Sequence, residues 1–340
     1  MAATELLRIL GIDNPVICAP MGGGPSTPEL VAAVSNAGGL GSLAVAYLTP
    51  DQIRQTIART RELTNKPFAV NLFAGGFMPL SDHPVQPMLA LLTPIHQRFG
   101  LPAPEVPNAR DPFPEQFEAV LESRPPVFSF TFGIPPRDAM MRLRRQGIVT
   151  IGTATSYKEA VLLREAGVDA VVAQGEEAGA HRGTFTDFSA ETLVPTLDLV
   201  RQIAPVAPPI ASGGIMDSGQ VATMLLAGAG AVQLGTAFLT CPESGATPAY
   251  KEALLAAKSD ATVITRAYSG RPARGLKNTF IELAAEDAIL PYPWQNALTR
   301  QMRTAAAARN EPGFLSLWAG RGVTRCRFMP AAGLVHTLLP

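Results

Sequence analysis

The sequence is short of charge. Only 16% of its 340 residues are charged, and its 28 basic and 28 acidic side chains cancel. The densest basic group is Arg142, Arg144 and Arg145, whose spacing is typical of a solvated helix face. Binding to nucleic acid depends on clustered Lys and Arg side chains that neutralise phosphates. A nucleic-acid partner is therefore not expected.

Cysteine and membrane segments are also scarce. Cys18, Cys241 and Cys326 lie far apart with no Cys-x-x-Cys pair, which argues against a disulfide framework or a zinc site and favours a reducing compartment. The N-terminus has no basic segment followed by an apolar run, which an export signal needs. Residues 218–242 carry no charge, but glycines interrupt them, and they predict a buried helix, turn and strand. We expect a cytoplasmic protein with no metal and no membrane partner.

Apolar residues are abundant, at 47% of the chain, so a large core can be buried. Short apolar runs alternate with longer amphipathic patterns, several of which end at glycine, a common helix stop. Eight of the runs predict strands: 16–21, 39–45, 68–73, 127–132, 148–153, 170–174, 209–212 and 231–234. Apolar strands joined by crossover helices form a parallel sheet, and eight such units close into a barrel. We predict an α/β fold, a (β/α)8 TIM barrel.

Two segments depart from this alternation. Residues 75–126 hold eleven of the 31 prolines and expand the third βα unit into an excursion over the barrel mouth. Beyond Cys241 no further strand is predicted, and the pattern through Ala308 is mostly helical. Insertions after barrel strands lie on the catalytic face. We therefore predict a cofactor-binding barrel at 1–240, a smaller, mostly helical C-terminal substrate or lid domain at 241–310, and a segment at 311–340 that returns to the barrel.

The ends of the last two barrel strands predict a phosphate site. Loops after the seventh and eighth strands of phosphate-binding barrels present main-chain N–H groups to one phosphate, and glycines permit close approach. A hydroxyl group can add a donor. The residues at these two ends are Ser212, Gly213 and Gly214, and then Gln233, Leu234, Gly235 and Thr236.

Other strand ends predict what is attached to that phosphate. A flat heteroaromatic ring needs an apolar surface on one side and amide groups at its edge. The first strand ends in Ala19, Pro20 and Met21, which supply the apolar surface. Asn71 and Gln174, at the ends of the third and sixth strands, supply the amides.

The loop from Gln174 to Gly183 reads Q-G-E-E-A-G-A-H-R-G. Its glycines let the backbone bend and approach a ligand, and it holds His181 at the carboxyl end of a strand, where barrel enzymes place their chemistry. An imidazole with an ordinary pKa near 6.5 can accept a proton or, when protonated, hold an anion. His181 is the predicted catalytic residue.

These segments resemble one family. They are A-P-M-G-G-G from Ala19, N-A-G-G-L-G from Asn36, S-F-T-F-G from Ser129, A-Q-G-E-E-A-G-A-H-R-G from Ala173, A-S-G-G-I from Ala211, Q-L-G-T from Gln233, S-G-R-P-A-R-G-L-K-N from Ser269 and W-A-G from Trp318. In this order, over nearly the whole chain, they resemble the nitronate monooxygenases, formerly called 2-nitropropane dioxygenases, and specifically their class I.

The resemblance implies an FMN cofactor, held by Asn71, Gln174, Gly179, Gly214 and the run Gln233 to Thr236, with His181 in the active site. It also implies the detoxifying oxidation of alkyl nitronates such as propionate 3-nitronate, with O2, to a carbonyl compound and nitrite. This chain departs from the family pattern twice, at Thr131, where some members have histidine, and at Arg321, where glutamine is usual. We expect the second departure to alter a surface or subunit contact, in a monomer or homodimer.

Substrate contacts are predicted from the region after the barrel, which is expected to cap the flavin. The candidates there are Tyr250, Lys277, Tyr292 and Trp294, together with Thr131 in the barrel. Helix packing for the aromatic residues, and solvation for the lysine, are the competing interpretations.

Three other functions remain open from the sequence. The first is an NAD(P)H-dependent FMN reductase of the same barrel family, acting on enoyl-ACP or quinones, because it shares the phosphate and histidine loops. The second is a flavin-free barrel lyase or aldolase, although no predicted strand end offers the lysine that Schiff-base chemistry needs. The third is a non-catalytic binding protein.

Overall fold

The computed structural model describes residues 3–80, 83–106, 110–186 and 193–340. The strands of these residues are β1 Val16–Cys18, β2 Gly41–Ala44, β3 Phe68–Phe73, β4 Val127–Thr131, β5 Val149–Ala154, β6 Ala170–Gln174, β7 Ala180–His181, β8 Pro209–Ser212, β9 Ala231–Leu234, β10 Thr262–Thr265 and β11 Ala273–Leu276. Each of the eight predicted barrel strands is present.

Eight of these strands form one parallel sheet that closes into a barrel. Their order is β1-β9-β8-β6-β5-β4-β3-β2. A parallel bridge between Ile17 and Leu40 joins the two edges, where the main-chain N–H of Cys18 donates to Leu40 O at 2.9 Å and that of Leu40 donates to Val16 O at 3.0 Å. The predicted TIM barrel is confirmed.

Helices cover the outside of the barrel and extend beyond it. They are α1 Ala3–Leu10, α2 Pro28–Asn36, α3 Pro50–Leu63, α4 Gln86–Phe99, α5 Phe113–Ser123, α6 Arg137–Arg145, α7 Tyr157–Glu165, α8 Thr196–Ile203, α9 Ser218–Leu226, α10 Thr236–Leu239, α11 Pro248–Leu255, α12 Thr279–Leu283, α13 Trp294–Leu298, α14 Arg300–Ala308 and α15 Ala331–Thr337. Capping residues set several starts: the Thr49 hydroxyl accepts from Gln52 N, and the Gln52 side chain accepts from Thr49 N. None of the helices in the described residues is long and apolar enough to cross a membrane.

Helix α1 closes the end of the barrel at which the strands begin. Its Leu6 and Leu10 are buried in one cluster with inward-facing strand residues such as Ile17, Val172 and Ile210. The opposite end, where the strands finish, is left for the site.

A second hydrophobic core lies next to the barrel. It contains Met88, Leu92, Leu254, Phe280 and Met302 from helices α4, α11, α12 and α14. The expanded third unit is thus divided, because α4 packs with this core against α14, whereas α5 packs on α3 and β3 of the barrel. Residues 81–82 and 107–109 of that unit lie outside the described residues.

The prediction that strands stop after Cys241 was wrong. Strands β10 and β11 pair in antiparallel fashion, and β11 pairs with β7, with Ala273 opposite His181. This small sheet ties the histidine loop to the region after the barrel. The final helix, α15, packs against α2. We retain the three-part division at 240 and 310 as a proposal.

Candidate active site

A cavity of about 560 Å³ lies at the carboxyl ends of the barrel strands. All the residues predicted to bind the cofactor line it, together with the predicted catalytic residue. They are Ala19, Pro20, Met21, Asn71, Gln174, Gly179, His181, Ser212, Gly213, Gly214, Gln233, Leu234, Gly235 and Thr236. The described lining residues include Arg300 and Arg303 but no Asp or Glu, so the side-chain charge of the cavity is positive.

Glycines after β8 and β9 form one wall of the cavity. Gly214 has a φ of +71°, and a Cβ there would lie 3.0 Å from Glu177 Cβ. Within the described residues, the main-chain N–H groups of Gly214, Gly235 and Thr236 have no hydrogen-bond acceptor. Unpaired main-chain donors beside a cavity are what an anionic group requires. We call Gly213, Gly214, Gly235 and Thr236 the amide cradle.

The W-A-G segment, Trp318 to Gly320, packs against this wall. Gly320 N donates to Thr236 Oγ1 at 2.9 Å, so the Thr236 hydroxyl keeps its own proton for another acceptor. A Cβ on Gly179 would lie 2.5 Å from Gly320 N, which shows how closely the histidine loop packs there. Arg321 forms an ion pair with Glu176 at 3.0 Å. This contact lies within the chain and ties the segment to the same loop.

The two predicted edge amides have partners in the protein. Asn71 Nδ2 donates to Ser129 Oγ at 3.0 Å. Gln174 Nε2 donates to His181 O at 2.9 Å, and Gly183 N donates to Gln174 Oε1 at 2.7 Å. Gln174 therefore fixes the shape of the histidine loop and leaves only one side-chain N–H for a ligand.

His181 sits among aromatic side chains. Its ring centroid is 5.7 Å from that of Phe132 and 5.4 Å from that of Trp318. Its Nε2 lies 2.8 Å from Ser269 Oγ, which in turn donates to Arg271 O at 3.2 Å. Both contacts are satisfied when Nε2 carries the proton, which leaves Nδ1 as an acceptor. Phe132 has a φ of +75°, a costly backbone conformation for a bulky residue.

Burial, together with the smaller effects of the Arg271 and Arg303 charges, lowers the pKa of His181 to about 3. The imidazole is therefore neutral at physiological pH. Of the two roles open to it from the sequence, holding an anion as an imidazolium loses support, and accepting a proton gains it.

Buried polar side chains form hydrogen bonds that fix the histidine loop, Gln174 to Gly183, and the residues that follow it. Glu159 is fully buried and accepts hydrogen bonds from Thr184 Oγ1 at 2.7 Å and Phe185 N at 2.6 Å. Arg182 donates to Gly175 O at 2.5 Å and to Gln174 O at 3.2 Å. These contacts fix both sides of the loop and thus the place of His181.

The predicted substrate residues divide into two groups. Thr131 and Tyr250 line the cavity, and the Tyr250 hydroxyl donates to Trp318 O at 2.6 Å. Tyr292 does not line the cavity, but its ring lies 5.8 Å from Phe132, which does. Trp294 is outside and donates to Met78 O at 2.8 Å. Lys277 is also outside, in an exposed ion pair with Glu282 at 3.3 Å. For Trp294 and Lys277, the competing interpretations of packing and solvation therefore fit better than a substrate contact.

Sequence reasoning missed several residues of the site. Ser269 opens one of the matching segments, yet nothing local relates it to a histidine 88 positions away. Arg300 and Arg303 line the cavity from α14. Their spacing by three residues indicates that they share one helix face, which the sequence alone shows. A polar helix face, however, ordinarily predicts contact with water rather than with a ligand.

Comparison with known proteins relates the whole chain to one family. A family model described as nitronate monooxygenase matches residues 3–340. The chain is 44% identical over 341 residues to the nitronate monooxygenase of Pseudomonas aeruginosa, which covers 98% of this chain and 97% of that protein. It is 40% identical over 342 residues to the nitronate monooxygenase of Paraburkholderia phytofirmans, with 98% and 93% covered.

Solved structures agree with these relatives. The nitroalkane oxidase of Streptomyces ansochromogenes superposes with a TM-score of 0.92 at 40% identity, over 99% of this chain and 96% of that one. FabK from Thermotoga maritima superposes with a TM-score of 0.75 at 28% identity, over 98% and 94%. The chain therefore belongs to the nitronate monooxygenase family of oxidoreductases.

Proposed function

We propose that this protein binds FMN and uses O2 to convert small alkyl nitronates, such as propionate 3-nitronate, to a carbonyl compound and nitrite. One observation carries the proposal: a single cavity joins unpaired main-chain donors on one wall to a neutral histidine on another, with no carboxylate among its described lining residues. An anionic substrate and an anionic cofactor both suit such a cavity.

The residues present fit a flavin mononucleotide. The amide cradle offers N–H donors and the Thr236 hydroxyl for a phosphate, and a side chain at Gly214 would crowd Glu177. Ala19, Pro20 and Met21 offer an apolar surface for the ring, and Asn71 and Gln174 offer edge amides. When bound, the isoalloxazine ring supplies the acceptor for the electrons of the nitronate and their donor to O2.

The other site residues act on the substrate. The nitronate carries negative charge on its oxygens, which the positive potential of the cavity attracts. Neutral His181, fixed by Ser269 through Nε2, presents Nδ1 as the acceptor for a proton from a neutral nitroalkane. Phe132 and Trp318 flank the imidazole and contribute to its burial.

The alternative is an NAD(P)H-dependent FMN reductase of the same barrel family, which would share the phosphate and histidine loops. Anaerobic mixing of the purified holoenzyme separates the two functions. We expect the flavin absorbance near 450 nm, which is typical of any flavin, to bleach rapidly with propionate 3-nitronate or propyl-2-nitronate and negligibly with NADH or NADPH. Rapid bleaching by a nicotinamide and none by a nitronate would overturn the proposal, and a colourless protein would exclude both functions.

A further inference from the structure

We propose that Arg303, together with Arg300, Tyr47 and Asn296, forms a second anion subsite in the cavity, which holds a carboxylate at the far end of the substrate. The inference rests on the proposed function for the identity of that substrate. It assigns substrate selectivity to residues on α13 and α14, away from the amide cradle and from His181.

One face of these two helices lines the cavity. It presents Asn296, Arg300, Arg303, Thr304 and Ala307, whose spacing by three and four residues places them on one side of a helix. The other side of α14 is buried in the second core. The arginines are thus held over the cavity by helix packing.

Arg303 is a cation with no counter-charge among the described residues. Its Nη2 donates to Asn296 O at 2.7 Å and to Asn296 Oδ1 at 2.9 Å. Its Nε is buried and has no acceptor among the described residues, and no described carboxylate forms an ion pair with it. Arg142, by contrast, pairs with Glu118 at 2.6 Å. Burial and the neighbouring Arg300 charge lower the pKa of Arg303.

An uncompensated charge inside a protein is costly. A ligand anion removes that cost, because a guanidinium offers a planar set of donors that matches a carboxylate. Arg300 adds a second positive charge, and the Tyr47 phenol lies within electrostatic range of both arginines. The arrangement is that of a binding site for an anion that none of the described residues supplies.

A wall of aromatic rings runs from this subsite to His181. Tyr47 and Phe73 have centroids 5.6 Å apart, Phe73 and Phe132 are 4.5 Å apart, and Phe132 and His181 are 5.7 Å apart. Tyr47, Phe73 and Phe132 all line the cavity. A substrate with its nitronate at His181 can lay a short carbon chain along this wall and reach Arg303 with its other end.

The test compares a nitronate that has a carboxylate with one that lacks it. We expect Arg303→Gln to lower kcat/KM for propionate 3-nitronate by about 10-fold to 100-fold, and to change that for propyl-2-nitronate by less than about threefold. Arg303→Lys, which keeps the charge but loses the planar fork, should recover part of the loss. Arg300→Gln, at the outer edge, should show a smaller loss of the same kind. Arg145→Gln, on the exposed end of α6, is the matched control and should change neither.

A binding measurement does not depend on turnover. Titration calorimetry with succinate, which has carboxylates but no nitro group, should detect binding to the wild-type holoenzyme that Arg303→Gln weakens and Arg145→Gln retains. Flavin content and thermal midpoint check that each variant is folded. If Arg303→Gln does not fold, Arg303→Lys and Arg300→Gln provide the test instead. Equal losses for both nitronates, loss of FMN from a folded variant, or unchanged succinate binding would overturn the subsite. Succinate binding without any nitronate turnover would instead overturn the proposed function alone.

Discussion

Gly214→Asp gives the sharpest test of the amide cradle. The φ of +71° at this position is left-handed, and a residue with a Cβ pays about 1–2 kcal/mol to adopt it. The new Cβ would also lie 3.0 Å from Glu177 Cβ, which a small shift can relieve. These two effects act on the free energy of unfolding whether or not a cofactor is bound.

The carboxylate adds a second effect that acts only on the cofactor. Two unit charges about 4 Å apart interact by about 4 kcal/mol at an effective dielectric constant of about 20. A carboxylate in the cradle repels a phosphate by this amount, so the affinity for FMN should fall about 1,000-fold. Gly214→Ala, which has the strain without the charge, should keep most of the affinity.

Gly147→Asp is the matched control. Gly147 has a φ of +69°, a Cβ added to it would meet no atom within 4 Å, and it lies away from the cavity. It shares the backbone strain of Gly214 but not the phosphate. Fluorescence titration of each apoprotein with FMN, with thermal unfolding alongside, separates the two effects. Stoichiometric FMN in purified Gly214→Asp would refute the assignment of the phosphate to this cradle.

Three further predictions concern the histidine loop. His181→Asn should retain FMN but lower substrate turnover, most strongly with neutral nitroalkanes, by about 100-fold or more. Full activity in nitrite detection would make the histidine a loop anchor. The folded pKa of His181, about 3, lies below its ordinary value of 6.5. Its contribution to stability is therefore complete above about pH 6.5 and is lost as the pH falls towards about 3. Urea unfolding from pH 7 to 4 should show a steeper loss of stability for the wild type than for His181→Asn, and parallel curves would contradict this. Glu159→Gln should destabilise the fold by about 2–3 kcal/mol, because the glutamine amide cannot accept every hydrogen bond that the carboxylate accepts from Thr184, Phe185 and their neighbours. An unchanged urea midpoint would show that the histidine loop does not depend on that charge.

Local patterns carried the prediction of the barrel. Strands such as β6 and β8 are buried on both faces, so they read as continuous apolar runs, and the helices between them have an apolar stripe and a defined stop. The amide cradle followed, because glycines at the ends of the last two barrel strands need no distant partner to indicate a phosphate site. Strand β7 was missed because it has only two residues. Strands β10 and β11 were missed because neither is a continuous apolar run: β10 begins and ends with threonine and is only half-buried, and β11 contains Arg274 and Gly275.

The sequence by itself determined the eight-stranded barrel, the strand ends that line its mouth and the single histidine among them, since each of these depends on residues close together in the chain. Only the tertiary structure decided which polar side chains face the cavity. Lys277 and Arg303 both belong to helical or loop segments after the barrel, yet the first faces solvent in an ion pair and the second is enclosed over the site. A polar helix face predicts a polar environment, which can be either water or a substrate. The packing of the second core against the barrel decides which of the two the face contacts.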